Sequence, residues 1–294
     1  MKHAGANAHA TGIGIALRLA SVFLFTTMTL FVRLAAEAPT GQIMFYRSAI
    51  ALIPIMAYVA WQGQLRHILR TRRPGAHFKR SALGCASMYF SFVSLAYLPL
   101  ANATAIAFLT PLVVIPLAMR MLGERPGLAV IGTSILGFAG VGLMLAPALQ
   151  GPTMDYSMLI GAAAGLTMVA ISAAVRIQIK DLTGTEPPAT IAIYFSAVCA
   201  LVGLATLPLG WLALDGWLMF CLLAAGLAGG LAQLTMTEAM ARAPVSSLAP
   251  FEFTALVWAI AFDVLVFGAL PGSWSLAGAA VIVVAAAIAV LGRR

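Results

Sequence analysis

The sequence predicts an all-α membrane protein of ten transmembrane helices, arranged as two inverted five-helix repeats. Three observations predict it. The chain of 294 residues is 62% apolar and only 9% charged, where a soluble domain carries about 25% charged residues. Its apolar residues fall in ten runs, each long enough for the roughly 20 residues that a helix needs to cross the hydrocarbon core. Its Lys and Arg residues gather in alternate loops between those runs, the positive-inside pattern. The net charge of +8 therefore marks topology and excludes a nucleic-acid surface.

The runs are 13–36, 41–61, 78–98, 101–120, 126–146, 156–179, 188–209, 215–240, 244–269 and 273–291. The first is longer than the roughly 7–15 apolar residues of a secretory leader. It also contains Arg18 and Arg33, and Pro39 follows the leader-like Ala36-Glu37-Ala38, so it reads as a membrane helix. Turn residues separate the later runs, as at Pro39-Thr40-Gly41, Leu98-Pro99-Leu100, Gly123-Glu124-Arg125-Pro126, Pro187-Pro188 and Pro271-Gly272. Loops this short leave no room for a soluble domain.

Orientation follows from the basic residues. The second loop holds Arg66, Arg70, Arg72, Arg73, Lys79 and Arg80; the fourth holds Arg120 and Arg125, the sixth Lys180 and the eighth Arg242. Arg293 and Arg294 end the chain. Even loops and both termini are thus expected in the cytoplasm of a bacterium, with the chain in its inner membrane. An even number of spans agrees.

The two sides of the chain resemble each other. Phe31-Val32-Arg33 matches Ala174-Val175-Arg176, Phe45-Tyr46-Arg47 matches Tyr194-Phe195-Ser196, the segment 103–108 matches 246–251, and Pro126-Gly127 matches Pro271-Gly272, all displaced by about 143 to 149 residues. Residues 1–150 and 151–294 are therefore read as two repeats. Five spans is an odd number, so the second repeat enters the membrane inverted. Inverted repeats belong to carrier folds, whose substrate site lies near mid-membrane between the halves.

Several motifs extend that reading. They are Phe45-Tyr46-Arg47-Ser48, the run Ser94 to Thr104, Leu109-Thr110-Pro111, Leu122-Gly123-Glu124-Arg125 and the glycines Gly132 to Gly142. With these motifs the chain resembles the EamA family of the drug/metabolite transporter superfamily along nearly its whole length. The resemblance implies export of amino acids or related metabolites. Where that family often carries a second Gly-Glu pair, this chain reads Phe267-Gly268-Ala269-Leu270, so matching carboxylates in both halves are not expected.

Charges inside the membrane cost about 2.5–3.5 kcal/mol each at the centre, so each needs a reason. Arg18 and Arg176 lie near helix ends and are expected to snorkel. Glu124 is expected to pair with Arg120, and Glu238 with Arg242, at i,i+4 spacing; as part of the family motif Glu124 is alternatively expected to anchor the turn, and Glu238 is also a candidate gating group. Arg47 and Asp263 stand at similar depth and are expected to form a charge pair. Glu252 is deeper than an interface residue and is a candidate for a substrate ammonium or a coupling proton.

The substrate-binding candidates are Tyr46, Tyr89, Ser91, Gln233, Glu252 and Trp258. Tyr46, Tyr89 and Trp258 would form an aromatic wall, since Trp258 falls mid-helix whereas Trp211, Trp217 and Trp274 suit the interfacial belt. Thr26, Thr29 and Arg33 share one helix face, as do Ser87, Ser91 and Ser94, and Gly226, Gly230, Gln233 and Thr237. Gly226 with Gly230, and Gly161 with Gly165, read as close helix contacts. Cys85, Cys199 and Cys221 read as buried thiols.

No Gly-x-x-x-x-Gly-Lys-Ser/Thr, His-Glu-x-x-His or Gly-x-Ser-x-Gly occurs, and all four histidines fall outside the ten runs. An ATP-driven pump and an intramembrane enzyme are thereby excluded, and neither cofactor nor metal is expected. The sequence points to a secondary transporter working by alternating access, with a channel or facilitative pore and a drug or cation efflux carrier as alternatives. Its partners are a small-molecule substrate and the lipid bilayer; a homodimer is compatible with this reading. A cysteine placed at His67, in a chain lacking native cysteines, should resist a membrane-impermeant thiol reagent in intact cells. Ready labelling there would contradict the assigned orientation.

Overall fold

The computed structural model describes residues 2–35, 37–65, 68–97, 106–145, 156–268 and 272–291, excepting the side chains of 2–9, 92, 95, 96, 144, 145, 156–158, 263, 267, 275 and 289–291. Ten helices account for most of the described residues, and no strand occurs among them. They are α1 (Lys2–Leu34), α2 (Thr40–Trp61), α3 (Pro74–Tyr97), α4 (Thr110–Leu122), α5 (Leu128–Leu145), α6 (Tyr156–Leu182), α7 (Pro188–Leu204), α8 (Gly216–Arg242), α9 (Thr254–Phe267) and α10 (Ser273–Leu291). Among the described residues six stretches are long and apolar enough to cross a membrane: most of α1, then α2, most of α6, α7 with its following turn, α8, and Val245–Val266. The apolar parts of α4, α5 and α10 are shorter. The chain is a multi-pass membrane protein.

Proline and glycine set the boundaries. Pro39 and Pro187 precede α2 and α7 with nearly the same backbone, ψ 143° and 139°, because a proline in extended conformation halts backward growth of a helix. Among the described residues, positive φ occurs only at Gly63, Gly123, Gly210 and Gly268, at 69°, 65°, 90° and 64°. Gly63 follows α2, Gly210 closes the 3-10 turn Leu207–Leu209 after α7, Gly123 ends α4 and Gly268 follows α9. A residue with a Cβ is strained in that left-handed region, which is why glycine stands at each stop.

Some boundaries differ from the apolar runs. α1 reaches back to Lys2 and α3 to Pro74, since neither stretch holds an interior proline and a proline at the first turn is tolerated. His77, expected outside the spans, consequently lies inside α3. The fourth run begins at 101, but residues 101–105 lie outside those described. The ninth run, expected as one helix, is broken. A single turn at Val245–Leu248 passes into a 3-10 segment at Ala249–Phe253, and α9 begins only at Thr254. Pro250 lies inside the break and has no N–H to continue an α-helical ladder.

The chain forms two compact units, each taking helices from both sides of its midpoint. The first is residues 1–82 with 179–242, and the second is 83–178 with 243–294. In the first unit α1 packs along α8, and α2 packs on α7 and α8. Ile55, Val59, Ile68, Ala189, Ala192, Ile193 and Leu234 form one buried cluster there. The expected glycine contact holds: a Cβ on Gly230 would sit 2.5 Å from the carbonyl oxygen of Ala51 and 2.7 Å from Pro54 Cγ, and one on Gly226 would sit 2.5 Å from Ile50 Cβ. Gly203 of α7 meets the backbone of Phe45 in the same way, at 2.6 Å. Small residues substitute here for the hydrophobic drive that lipid removes.

In the second unit α5 packs along α10, where a Cβ on Gly140 would come 2.9 Å from the carbonyl oxygen of Gly278. Val141, Phe253, Leu256 and Ile282 form its buried centre. α4 is tied to the broken ninth run by Glu124. Its carboxylate accepts from the N–H of Val245 at 2.8 Å and of Ser246 at 3.0 Å, and from the Ser246 hydroxyl at 2.5 Å. Of the two expectations for Glu124 the structure shows an anchored turn and not the Arg120 pair, because the first N–H groups of a helical turn have no partner within it; the turn it anchors is the distant one at Val245 and Ser246.

Gly230→Ala should lower the melting temperature of detergent-solubilised protein, by the roughly 1–3 kcal/mol that overpacking costs. Gly132, with nothing within 4 Å of its Cβ position, provides the control, and Gly132→Ala should be neutral or stabilising. A Gly230→Ala protein melting at or above wild type would contradict the close helix contact.

Candidate functional site

In the first unit the polar groups fall into three places. α8 presents Gln233, buried at 5% exposure, whose amide nitrogen has no hydrogen-bond partner among the described residues. The Thr237 hydroxyl one turn on donates to the Gln233 carbonyl at 2.7 Å, so Gln233 alone keeps donor capacity on that face. Nearer the end of α8, Glu238 accepts from the Tyr58 hydroxyl at 3.1 Å and pairs with Arg242. The expected i,i+4 pair is present, with a third member from α2.

The second place lies where α7 passes into α8. Gln42 is buried and bonds twice to Leu212: its amide donates to the Leu212 carbonyl at 2.9 Å and its carbonyl accepts from the Leu212 N–H at 2.9 Å. Tyr46 packs beside Trp211, with ring centroids 5.9 Å apart, and Phe45 joins both. The Trp211 indole donates to the Thr206 hydroxyl at 3.2 Å. Trp211, expected at the interfacial belt, is thus the packing partner of Tyr46. The Arg47 stem lies against Gly229 of α8, 3.7 Å from where a Cβ would stand.

The third place is the basic second loop. Glu186, almost fully buried, accepts from the Thr71 hydroxyl at 2.8 Å and the Arg72 N–H at 3.1 Å. Arg73 pairs with Asp181 at 2.7 Å. Tyr194 and Thr190 donate to the carbonyls of Leu69 and Ile68, both at 2.9 Å. His77, ahead of the third apolar run, is buried and stacks on Tyr194 at 4.5 Å, with Nε2 4.0 Å from Glu186. Burial pushes its pKa down; Glu186 opposes this, and Arg80 and Arg73 add to it. Arg80 lies over the Phe195 ring at 3.6 Å.

Two expectations change in this unit. Arg18 does not snorkel: it is 3% exposed and enclosed by protein. The shared face of Thr26 and Thr29 offers fewer free donors than expected, since each hydroxyl donates to the carbonyl four residues earlier, of Val22 and Phe25.

In the second unit Ser87 of α3 and Ser172 of α6 share a hydrogen bond of 2.6 Å. Ser94 is buried with no partner for its hydroxyl among the described residues, and packs where Gly165 leaves room. Ser91 is half-buried. Tyr89 is exposed and touches Phe90 edge-on. Trp258, on α9, is 38% exposed.

Arg176, expected to snorkel, instead forms an ion pair with Glu252 inside this unit. The pair links α6 to the 3-10 break, and Arg176 is the functional candidate the sequence analysis missed. Asp263 is on α9 with its side chain outside those described. Arg47 belongs to the first unit and Asp263 to the second. Among the described residues no three His, Cys, Asp or Glu side chains gather where they could hold a metal ion.

Residues 12–146 match the model of the EamA-like transporter family. A pseudopaline exporter of Pseudomonas aeruginosa is 27% identical over 92% of this chain and 94% of its own length. A riboflavin transporter of Rhizobium johnstonii is 29% identical over 88% of this chain and 83% of its own. An S-adenosylmethionine uptake transporter of Rickettsia felis is 24% identical over 93% and 90%. One crystal structure superposes with a TM-score of 0.83 at 22% identity, covering 95% of this chain and 96% of that one, which establishes the fold. These relatives are named as an exporter, a transporter and an uptake transporter of small molecules. Residues 12–146 thus resemble the EamA-like transporter family, and along most of its length the chain is similar to membrane transporters of small metabolites and not to enzymes.

Proposed function

We propose that the chain is a secondary carrier that exports an amino acid or a related amphipathic metabolite across the bacterial inner membrane by alternating access. Its two halves, 1–150 and 151–294, are read as inverted repeats, all ten helices as spans and both termini as cytoplasmic. The observation that carries this reading is the paired turn chemistry. Pro187 stands 148 residues after Pro39, Gly210 stands 147 after Gly63, and Gly268 stands 145 after Gly123, each pair with matching backbone roles. The same stops recur five helices later, and five crossings reverse direction, which is the signature of an inverted repeat.

The relatives support the substrate class. Pseudopaline, riboflavin and S-adenosylmethionine are named as the cargo of relatives, which supports a small metabolite as substrate. An exporter among relatives that also include uptake carriers supports a reversible carrier mechanism, with direction set by gradients and not by the fold.

Substrate contacts are assigned unit by unit. In the first unit Gln233 is the strongest candidate, and Tyr46, packed against Phe45 and Trp211, is the aromatic one. Leaving a buried amide unpaired costs about 1–3 kcal/mol, and a substrate or a water entering the helix face supplies the missing acceptor. In the second unit the candidates are Trp258, Tyr89, Ser91 and Glu252. Arg47, Asp263 and Glu238 are read as charges that bias gating.

Gln233→Leu separates the two accounts of this residue. It removes a buried donor that has no hydrogen-bond partner among the described residues, so the melting temperature should stay level or rise. Transport of the preferred substrate into proteoliposomes should fall at least fivefold. Unchanged transport would show that Gln233 is packing, and a large loss of stability would show that its amide is satisfied within the fold.

A further inference from the structure

The second loop has two faces. The inner one is fixed to α7, to the turn before it and to the end of α6. The carbonyls of Ile68 and Leu69 accept from Thr190 and Tyr194, both at 2.9 Å. The Thr71 hydroxyl and the Arg72 N–H bind Glu186, and Arg73 binds Asp181. α3 continues this face, with His77 stacked on Tyr194 and Arg80 over the Phe195 ring. Residues three apart share one side of a helix, and 77 and 80 are both buried.

The outer face is what remains. Leu69, Arg70, Arg72, Phe78 and Lys79 are all exposed. Phe78 and Lys79 follow His77 by one and two steps of roughly 100° each, which turns them away from the buried side. Leu69 is 60% exposed and Phe78 69%. Arg70, Arg72 and Lys79 make no side-chain ion pair among the described residues. The two carboxylates that the loop meets, Asp181 and Glu186, are taken up on the inner face. The outer face therefore carries one sign of charge beside two large apolar side chains.

Its depth is marked by the helix that leads into it. α2 is long and apolar enough to span the membrane and ends at Trp61, which is 82% exposed. Tryptophan at a span end stands at the head-group level, so the loop that follows meets that layer. A free phosphate ester would engage the cations and leave Leu69 and Phe78 in water. A phospholipid with a net negative head group satisfies both, since its chains take the apolar side chains while its phosphate meets the cations. The inner-face bonds already hold the loop in place, so binding orders little additional chain.

We propose that the outer face of the second loop is a binding site for an anionic phospholipid, with Arg70, Arg72 and Lys79 on its head group and Leu69 and Phe78 among its acyl chains. The site belongs to the first unit alone and is independent of which substrate the chain carries.

The test follows the melting temperature of full-length protein in neutral detergent. The protein is titrated with phosphatidylglycerol, with phosphatidylcholine of the same chains, and with glycerophosphoglycerol, which is the first head group without chains. Phosphatidylglycerol should raise the melting temperature saturably, the other two should not, and the gain should shrink as salt is added. Arg70→Gln combined with Arg72→Gln should raise the half-saturating concentration, by roughly fivefold for each cation removed. Arg120→Gln combined with Arg125→Gln removes the same charge from exposed positions of the fourth loop and should leave that concentration unchanged. Phe78→Ser should raise it. The half-saturating concentration reports binding even where a substitution shifts the melting temperature of the lipid-free protein. Equal weakening by the two arginine pairs would reduce the effect to diffuse surface charge and overturn the site. Equal protection by phosphatidylcholine would make it ordinary lipid solvation, and equal protection by glycerophosphoglycerol would make it a site for a free phosphate ester. Either result would overturn the proposal, as would a Phe78→Ser protein that binds phosphatidylglycerol like wild type.

Discussion

Hydrocarbon offers no hydrogen-bond partner to a polypeptide. Every N–H, C=O and charge within it has to be satisfied by the protein itself. Helices do this residue by residue, which is why helix dominates the described structure. The places where helices stop or break are where side chains take over. Gln42 replaces two backbone partners at Leu212 beyond the 3-10 turn. Glu124 replaces the partners that the turn at Val245 lacks. Thr26, Thr29, Thr133, Thr167, Thr235 and Thr237 return their hydroxyls to the carbonyl four residues back. The broken ninth run can exist because Glu124, Phe251 and Phe253 hold it, and Glu252 is presented because it is broken.

The same constraint shapes the basic end of the first unit. Six Lys and Arg residues near the second loop would leave a floppy, hydrated segment if they were its only feature. Glu186 changes that, by gathering the Thr71 hydroxyl and the Arg72 N–H into a buried anchor. Tyr194 and Thr190 pin the neighbouring carbonyls, and burial pushes the His77 pKa down beside the carboxylate that opposes it. A loop fixed in this way gives α2 and α3 a defined spacing. Each unit has its own buried clusters, so each has the internal cohesion that a moving body of a carrier needs.

Much of this was legible from residue order, for a physical reason. Helix length, proline starts, glycine stops and small-residue contacts depend on a few consecutive residues, so the run 188–209, the pair Gly226 and Gly230 and the Glu238–Arg242 pair could be read directly. Partnerships between distant residues could not. Glu124 has an attractive neighbour in Arg120, yet it binds residues 121 and 122 positions away. Arg176 sits near a helix end and reads as a snorkelling side chain, yet its partner is 76 residues on. His77 follows a basic loop and Arg18 is a lone charge in an apolar run, and both are buried all the same, because helix packing and not local polarity decides which face is covered. The broken ninth run was concealed by its apolar composition, although Pro250 was the available signal.

The proposed function rests on one central claim: the chain carries its substrate through a binding site and does not conduct it through a pore. Counterflow measures this most directly. Liposomes containing purified protein are preloaded with an excess of unlabelled substrate, and entry of trace labelled substrate is followed. A carrier exchanges one molecule for another, so label should accumulate transiently inside, above its external concentration, and the initial rate should saturate. Label that only equilibrates, at a rate linear in concentration and indifferent to what is loaded inside, would contradict the account.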